Sequence, residues 1–559
     1  MPKITINEID LTTASYQPAE TDIAYVPGFS VNDDATNDLI FCETVSEFEK
    51  AFGTAPRMLS DSVATTHKEG VLLELDISTY TSHGFNSSMT FTSTIVGTTV
   101  EWRYGKKGVI TVENGLKLGI PAIGITATFD NESDSWSDND VITVTPVYDL
   151  SYVYAKELIR AGIPVVYQVV DTSQSGVDQY SAEAMRITLA DSSKIYTVDS
   201  MDGIMDKGEF SIKYLTSGAY PSFIYSYNPE PDPEDPEDTY YNFDDAFAQD
   251  MLTLAEARGD CVALIDPTAA ACGALYGYAY TDENGYILTS PDDYVYVSNS
   301  EDMSLDGPGS VWEAAKTFAD SATGLSYGTM FSPWGIYTTQ SSYTTGGVSN
   351  PDLDSVIMPP SYGYLMALAR SIRTNNNWLA VAGIARGQVP YLNSLYTAKR
   401  LSNSIAEKYQ PRNGETSINA ITNIKPYGLT IWGNRTMKNN EDASNGGEDG
   451  LTATSFLNIR NMVSDVKKTA YNAAKTLMFE QNSDVLWVNF CSMITPLLDQ
   501  LMSGQGLSNY KIIKEKLARN GQKLPKAMLR ATIKLWPIYA VEEFEITVEL
   551  LDEDVSVLE

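Results

Sequence analysis

A helix followed by a buried-type strand recurs along this 559-residue chain, and that recurrence narrows the fold more than any other feature. Tyr152 to Ala161 reads as a helix, Gly162 stops it, and Ile163 to Val170 (IPVVYQVV) reads as a strand apolar on both faces. The unit returns as Asp244 to Ala257 followed by Cys261 to Asp266 (CVALID), and again as Ser361 to Arg373 followed by Trp378 to Ile384. Repeated alternation of this kind predicts an α/β core. Upstream, Ile23 to Val26 is a short apolar run punctuated by Pro18, Pro27 and Gly28. A capping box at Ser46-Glu47-Phe48-Glu49 opens a short helix that stops at Gly53.

Residues 70–146 change character. Thr, Ser, Val and Gly dominate, in runs such as GVLLELDIS, SSMTFTSTIV and GVITVEN, with turn signals between them, which predicts an all-β insertion. Two acidic stretches, Asp130 to Asp140 (DNESDSWSDND) and Asn228 to Asp238 (NPEPDPEDPED), read as solvated loops because they offer nothing to bury. Two long helices are expected near the C-terminus. Ile459, Met462, Val463, Val466, Ala470, Ala474, Leu477 and Met478 mark one face of the first. The second starts at Ser483-Asp484, passes Trp487, Phe490 and Cys491, is kinked or restarted at Pro496, and ends at Gly504.

The two ends of the chain read as extended arms. Ile4, Ile6, Ile9 and Leu11 mark a broken strand at the start. At the other end Phe544, Ile546, Val548 and Leu550 alternate with Glu543, Glu545, Thr547 and Glu549, giving a strand with one apolar and one acidic face. Such a strand needs a sheet to join, its own or a neighbour's. Just before it, residues 511–534 carry eight bases (Lys511, Lys514, Lys516, Arg519, Lys523, Lys526, Arg530 and Lys534) against one Glu, whereas 541–559 carry eight acids and no base.

The formal net charge of −35 argues against nucleic acid or an anionic membrane as the main partner. No run of about 18 apolar residues suggests a spanning helix. The start lacks the features of a signal peptide, so a soluble protein made in a reducing cytoplasm is expected. Cys42, Cys261, Cys272 and Cys491 are scattered and read as small apolar side chains, not as a disulfide or zinc framework. Thirty-four tyrosines against seventeen phenylalanines suggest half-wet interfaces. Signs of chemistry are absent. Only His67 and His83 are available for a triad or imidazole metal site, no phosphate-cradling glycine loop occurs, and Arg103 to Gly108 (RYGKKG) reads as a hairpin turn. Asp130 to Asp140 and Thr281 to Gly285 lack the spacing of a Ca²⁺ loop. No catalytic residue, metal or cofactor is assigned.

Several separated stretches, in order, resemble the contractile tail sheath proteins of bacteriophages and related injection machines. ITINEID resembles the N-terminal arm and Phe48 to Gly53 the "EFExxFG" helix. Arg258-Gly259-Asp260 with CVALIDP, Phe331 to Trp334, and Met358-Pro359-Pro360-Ser361 with Ala369-Arg370 and Asn377 to Ala380 follow. The most specific part is Ile418 to Ile421 with Gly428, Trp432, Gly433, Arg435 and Thr436, similar to "INxI…GxxxWGxRT". Arg460 (in "NVRR"), Phe479 and Glu480 (in "FEPN") and Trp487 come next; Asn461 and Gln481 depart from the pattern. Plain packing explains the same residues, with Gly428 and Gly433 bracketing a short strand and Arg435 satisfying carbonyls at its end.

The resemblance implies a multidomain α/β (α+β) chain: an N-terminal arm (1–20), a discontinuous core (21–65 and 335–423), an inserted all-β outer domain (66–146), an α/β middle domain (147–334), a C-terminal sheath domain (424–540) and a C-terminal arm strand (541–559). It implies a structural, non-enzymatic subunit of a virion tail or contractile particle, assembled in the bacterial host cytoplasm. Its partners would be neighbouring copies in hexameric rings, a tail tube protein, and baseplate and tail terminator proteins, with no nucleic acid and no membrane insertion. The alternatives are an α/β hydrolase-like enzyme with an acidic site and another self-assembling surface-layer or shell protein.

Overall fold

The structure is a computed structural model. It describes residues 22–30, 39–57, 63–66, 72–76, 89–96, 99–104, 109–112, 117–120, 125–129, 139, 141–145, 148–170, 186, 204, 210–227, 241–268, 311–341, 343–345, 348–349, 353–397, 401, 403–411, 415–439, 451–517 and 523–542. Ten strands organise the account: β1 (Ile23–Gly28), β2 (Leu39–Cys42), β3 (Val165–Val169), β4 (Ile212–Leu215), β5 (Val262–Ile265), β6 (Gly328–Ser332), β7 (Asn419–Ile424), β8 (Gly428–Trp432), β9 (Leu507–Lys514) and β10 (Ala531–Pro537). The helices are α1 (Val45–Phe52), α2 (Leu150–Ala161), α3 (Ala246–Arg258), α4 (Val311–Ser321), α5 (Pro360–Ile372), α6 (Leu457–Thr476) and α7 (Asp484–Ser503), besides short turns of helix at Gly383–Arg386 and Asn403–Lys408.

The first eight strands form one mixed sheet in the order β2-β3-β1-β4-β5-β6-β7-β8. The six inner strands run parallel, and antiparallel β2 and β8 close the two edges. β1, β3, β4, β5 and β6 are buried at every position, as strands covered on both faces must be. Alternate residues serve opposite faces. Ala24, Val26, Val165, Tyr167, Val262 and Leu264 pack with α2 and α5; Ile23, Tyr25, Val166, Ala263 and Ile265 pack with α3 and α4. α6, α7 and the β9–β10 hairpin share a third apolar cluster. The expected division at 423/424 falls within β7 itself, whereas 334/335 lies between β6 and Gly335–Thr338, a strand of a separate three-stranded sheet.

Between Val63 and Thr145 the described residues form eight strands in two sheets, one of five and one of three. Every pairing there is antiparallel. Arg103 pairs with Val109, so the Arg103–Gly108 run joins two strands of a hairpin, as its sequence suggests.

Several local expectations shift. The capping box uses Thr44, whose hydroxyl accepts from Glu47 N at 3.3 Å while Glu47 accepts from Thr44 N at 3.2 Å, two residues earlier than Ser46. Trp378 to Ile384 is not a strand but a turn leading into Gly383–Arg386, because Trp378 turns away to bury its ring against the C-terminal unit and donates to Gly504 O at 3.0 Å. α7 continues through Pro496 as one helix from Asp484 to Ser503, without a restart. By length and composition α7 is also apolar enough to cross a membrane, contrary to the expectation of no such segment. Its Phe490, Ile494, Leu498 and Leu501 are buried in the third cluster.

Tyrosine is a core residue here. Tyr25, Tyr152, Tyr154, Tyr167, Tyr214, Tyr337, Tyr343, Tyr362 and Tyr364 are among the largest fully buried side chains. Several of their phenols reach internal acceptors, among them Gly53 O (Tyr152, 2.7 Å), Phe29 O (Tyr167, 2.9 Å) and Gln168 Oε1 (Tyr25, 2.8 Å), whereas the Tyr214 and Tyr337 hydroxyls are buried without one among the described residues. Cys42 and Cys261 are buried free thiols, as their scattered positions predicted.

Candidate functional site

The Gly428–Thr436 motif folds as the edge strand β8 and the turn that leaves it. Gly428 stands at φ 90°, a left-handed conformation that suits glycine, and opens the strand after a tight turn from β7. Gly433 lies against Asn419: a Cβ there would fall 2.6 Å from Asn419 Oδ1 and 3.0 Å from its Cα. That closeness lets Asn419 clamp the next turn. Its Oδ1 accepts from Arg435 N and its Nδ2 donates to Arg435 O, both at 2.8 Å, and it donates to Thr329 Oγ1 at 2.9 Å. Asn434 Nδ2 donates to Asn458 Oδ1 at 2.7 Å, and Thr436 Oγ1 to Thr454 O at 2.9 Å, tying the turn to the start of α6.

The clamp aims the Arg435 side chain, which is 3% exposed, at the end of the described chain. Its Nε donates to Glu542 Oε1 at 3.2 Å, its Nη2 to Glu542 Oε2, and its guanidinium lies 4.6 Å from the centre of the Phe456 ring. Tyr539 packs edge-on against Phe456 at 5.2 Å, and Ile538 N donates to Gly506 O at 3.0 Å. Arg435 therefore satisfies more than strand-end carbonyls. It fastens Glu542 at the end of the described chain. Glu542, which the sequence grouped with the acidic strand, is engaged by its own chain.

The other motif residues are spread over the same C-terminal unit. Arg460 donates to Ser326 O (2.9 Å) and Ser326 Oγ (2.8 Å) and stacks on Tyr327 at 4.1 Å, locking α6 to the turn before β6. Trp487 is half-buried beside Phe490. Phe479 is 98% exposed, and Glu480 is exposed beside it. The arm residues Ile4, Ile6, Ile9 and Leu11, and Glu543, Phe544, Glu545, Ile546, Val548 and Leu550, lie outside the described residues, as do Arg519, His67 and His83.

The basic segment folds as the β9–β10 hairpin, a form its composition did not announce. Among the described residues the hairpin is a sheet of two strands. Tyr510, Ile512, Ile533 and Leu535 face the third cluster, whereas Lys511 and Lys534 are exposed and directly opposite each other. Like charges so placed repel. Lys514 pairs with Asp484 at 2.9 Å; Lys516, Lys523 and Lys526 are exposed and Arg530 half-buried along the connection between the strands. Lys526 also borders a groove of about 920 Å³ with Met478, Phe479, Leu486 and Met528.

Buried charge, invisible in the sequence, ties this unit to the central sheet. Lys213 of β4 is fully buried between Asp465 of α6 (2.8 Å) and Asp22 (3.0 Å). Burial works against its charge, yet the two carboxylates outweigh it and hold the amine above its ordinary value. Burial lifts Asp465 to about 6 against the pull of Lys213. Lys468, one turn along α6, donates to Ser211 O at 2.6 Å and is pulled down to about 8 by burial.

Two further buried carboxyls sit at helix starts. Asp149 accepts from Ser151 N (2.9 Å) at α2, and Asp266 from Ser361 N (2.9 Å) and Oγ (2.5 Å) at α5. Burial raises them to about 6 and about 7 respectively, against the hydrogen bonds they accept. Both stand above the ordinary value of 3.8, so the folded chain keeps protons that the unfolded chain releases. The stability they confer is present in full below about pH 4 and is lost as pH rises toward 7. Asp266→Asn, which mimics the protonated form, is expected to flatten the fall of the urea midpoint between about pH 4.5 and 7.5. An unchanged slope would refute the assignment. Perturbed carboxyls mark active sites elsewhere, but these two are enclosed helix caps. Among the described residues no group of three or more His, Cys, Asp or Glu gathers as a metal site.

Fold and site together define a mixed α/β protein with several sheets, in which a strand–turn motif holds Glu542. No protein-family model matches the sequence, and no curated protein does. Among solved structures, the chain is similar to one in the six-fold symmetrised cryo-EM baseplate of the anti-feeding prophage, with 12% identity over 98% of this chain and 99% of that one and a TM-score of 0.46. It is similar to the helical sheath of the anti-feeding prophage in its contracted state, with 13% identity over 99% of both chains and a TM-score of 0.45. It is also similar to the contracted sheath complex of the extracellular contractile injection system PVC, with 14% identity over 73% of this chain and 81% of that one and a TM-score of 0.39.

Proposed function

We propose that the chain is the structural subunit of a contractile sheath, stacked as hexameric rings wound helically around a tail tube, with baseplate and terminator proteins at the ends. The observation that carries this reading is the junction at Arg435. The residues most specific to the sheath resemblance hold the root of an arm at Glu542, and the hairpin immediately before that root is a two-stranded sheet with a basic outer face. Residues 543–559, with their alternating apolar and acidic positions, suit the edge of that hairpin in a neighbouring copy. Main-chain hydrogen bonds would extend the sheet. Glu543, Glu545 and Glu549 would relieve the repulsion between Lys511 and Lys534, and each fully buried apolar side chain would contribute about 1.5–3 kcal/mol.

An exchange of this sort is heterologous and need not close, so it builds helical arrays. The N-terminal arm, 1–20, is assigned the same kind of role. Rooted but extended arms let subunits rotate while the mesh stays joined, so contraction would move the bodies between two packed arrangements without nucleotide. Residues 66–146 are assigned to an outward decoration domain, and the particle to assembly in a bacterial cytoplasm. Deleting residues 543–559 leaves the Arg435–Glu542 pair intact and is expected to give folded subunits that form no tubes in electron micrographs. Ordered, contractile tubes from the truncated protein would overturn the arm model.

A further inference from the structure

A pocket of about 260 Å³ lies where α2 and α5 end, remote from the C-terminal unit in sequence and unused by the arm mechanism. Arg160 of α2, Arg370 of α5 and Arg373 just beyond it line the pocket with Gln340 and Tyr391. Glu157 is the single carboxylate of the lining, and it is already occupied: it accepts from Gln340 N at 2.9 Å, Ser341 N at 2.8 Å and Tyr343 OH at 3.1 Å. Among the described residues none of the three guanidiniums has a carboxylate within 4 Å.

Basic side chains at helix C-termini offset the helix dipole, and Arg373 does this directly by donating to Ala161 O at 2.7 Å. Arg160 and Arg370 make only long contacts, 3.5 Å to Ser341 Oγ and 3.4 Å to Gln388 O, and both are exposed. Tyr391 stands at the rim with its backbone at φ 60° and its side chain half exposed. A non-glycine residue held in that region marks a locally over-determined backbone. In a chain with 73 acids and 38 bases, a cluster of unpaired arginines around a cleft is an oxyanion receptor.

We propose that this pocket receives the carboxylates of the Asn228–Asp238 segment (NPEPDPEDPED) of a second copy. The segment is the densest acidic run in the chain and, its four prolines apart, has no apolar side chain, so a basic pocket serves it where an apolar groove would not. Its prolines favour an extended form that loses little entropy on binding. It connects the strand Ile224–Tyr227 to Tyr241–Asp244, and that hairpin is rooted beside Asp266, where Ser222 N and Phe223 N donate to Asp266 O. Asp266 also binds Ser361 at the start of α5, whereas the pocket lies at the far end of this 13-residue helix, about 20 Å away. In the proposed assembly a second copy supplies the segment. The inference rests on the sheath reading only in placing another copy within reach.

The test uses the full-length protein, unassembled at high dilution, and a fluorescent peptide of sequence NPEPDPEDPED read by anisotropy at low salt. Saturable binding is expected, weakened about tenfold or more by R160Q/R370Q, which leaves Arg373 in place, and lost as salt rises. K511Q/K534Q should bind as the wild type does, because those lysines belong to the hairpin. Absence of saturable binding, or equal binding by R160Q/R370Q, would overturn the proposal. If inorganic phosphate raises the Tm of the wild type but not of R160Q/R370Q while the peptide fails to bind, the occupant is a free oxyanion and the second-copy assignment falls. Peptide binding is read without assembly, so a chain that binds the peptide yet forms no tubes counts against the sheath reading and not against the pocket.

Discussion

Lys213→Met is expected to destabilise the protein by about 3–5 kcal/mol, read as a lowered urea midpoint, because it removes the buried ammonium that Asp465 and Asp22 share. Lys213 is fully buried, with Asp465 6% and Asp22 15% exposed on either side. Methionine fills nearly the same volume, so packing changes little and the loss reports the charge. The second acceptor contact at Asp465 comes from Asn377 Nδ2 at 3.2 Å, a neutral donor that cannot balance a buried anion. The penalty should depend on pH with a definite sign. Asp465 already stands near 6 with the lysine present; without it the carboxyl rises further, so acid neutralises the stranded charge. The cost is therefore greatest near pH 8 and shrinks toward pH 5. A penalty that is constant across this range would mean that the ammonium serves packing rather than charge balance. Lys213→Met/Asp465→Asn should recover part of the loss at pH 8, since it removes the more deeply buried of the two carboxylates that lose Lys213.

The mixture of what sequence showed and hid follows from the range of the forces involved. Helix and strand periods, Gly162 as a stop and the buried strand at Val262–Ile265 depend on near neighbours, and they stand where the pattern put them. The order of the sheet does not: β1 lies between β3 and β4, strands far from it in sequence. The apolar run from Trp378 to Ile384 has the pattern of a strand, yet Trp378 is claimed by the glycines at 504 and 506, whose missing Cβ atoms leave room for its indole. Tyrosine count suggested wet interfaces because composition does not record where a phenol finds its acceptor. The candidate site divides in the same way. The motif around Arg435 was legible as a motif, but its partner Glu542 is 107 residues away. The Lys213 network joins residues from three distant segments and leaves no local trace. The hairpin could have been found from the alternation of Tyr510 and Ile512, and of Ile533 and Leu535, with lysines between them.

Arg435→Met is expected to loosen the segment around Glu542 by about 2–3 kcal/mol while leaving the central sheet intact. Two contributions disappear together: the paired hydrogen bonds to Glu542 and the stacking of the guanidinium on Phe456. Glu542 is 28% exposed, so water recovers part of its charge, which keeps the loss below that at Lys213. Methionine retains contact with Phe456 and, having no polar atoms at its tip, removes the need to satisfy the buried Arg435 Nη1. The effect is therefore local. In hydrogen exchange the amide of Ile538, bonded to Gly506 O, should lose protection by about 30- to 150-fold, the factor that corresponds to 2–3 kcal/mol. Amides of β5 and β6 should be unchanged. Arg435→Lys keeps the charge but neither the forked geometry nor the planar stack, so it should fall between wild type and Met. Equal loss of protection throughout the sheet would make Arg435 a general core residue, and no loss at Ile538 would mean that the arm root is held by Tyr539 alone. A local loss, combined with failure to form tubes at unchanged global stability, would separate holding the arm from holding the fold.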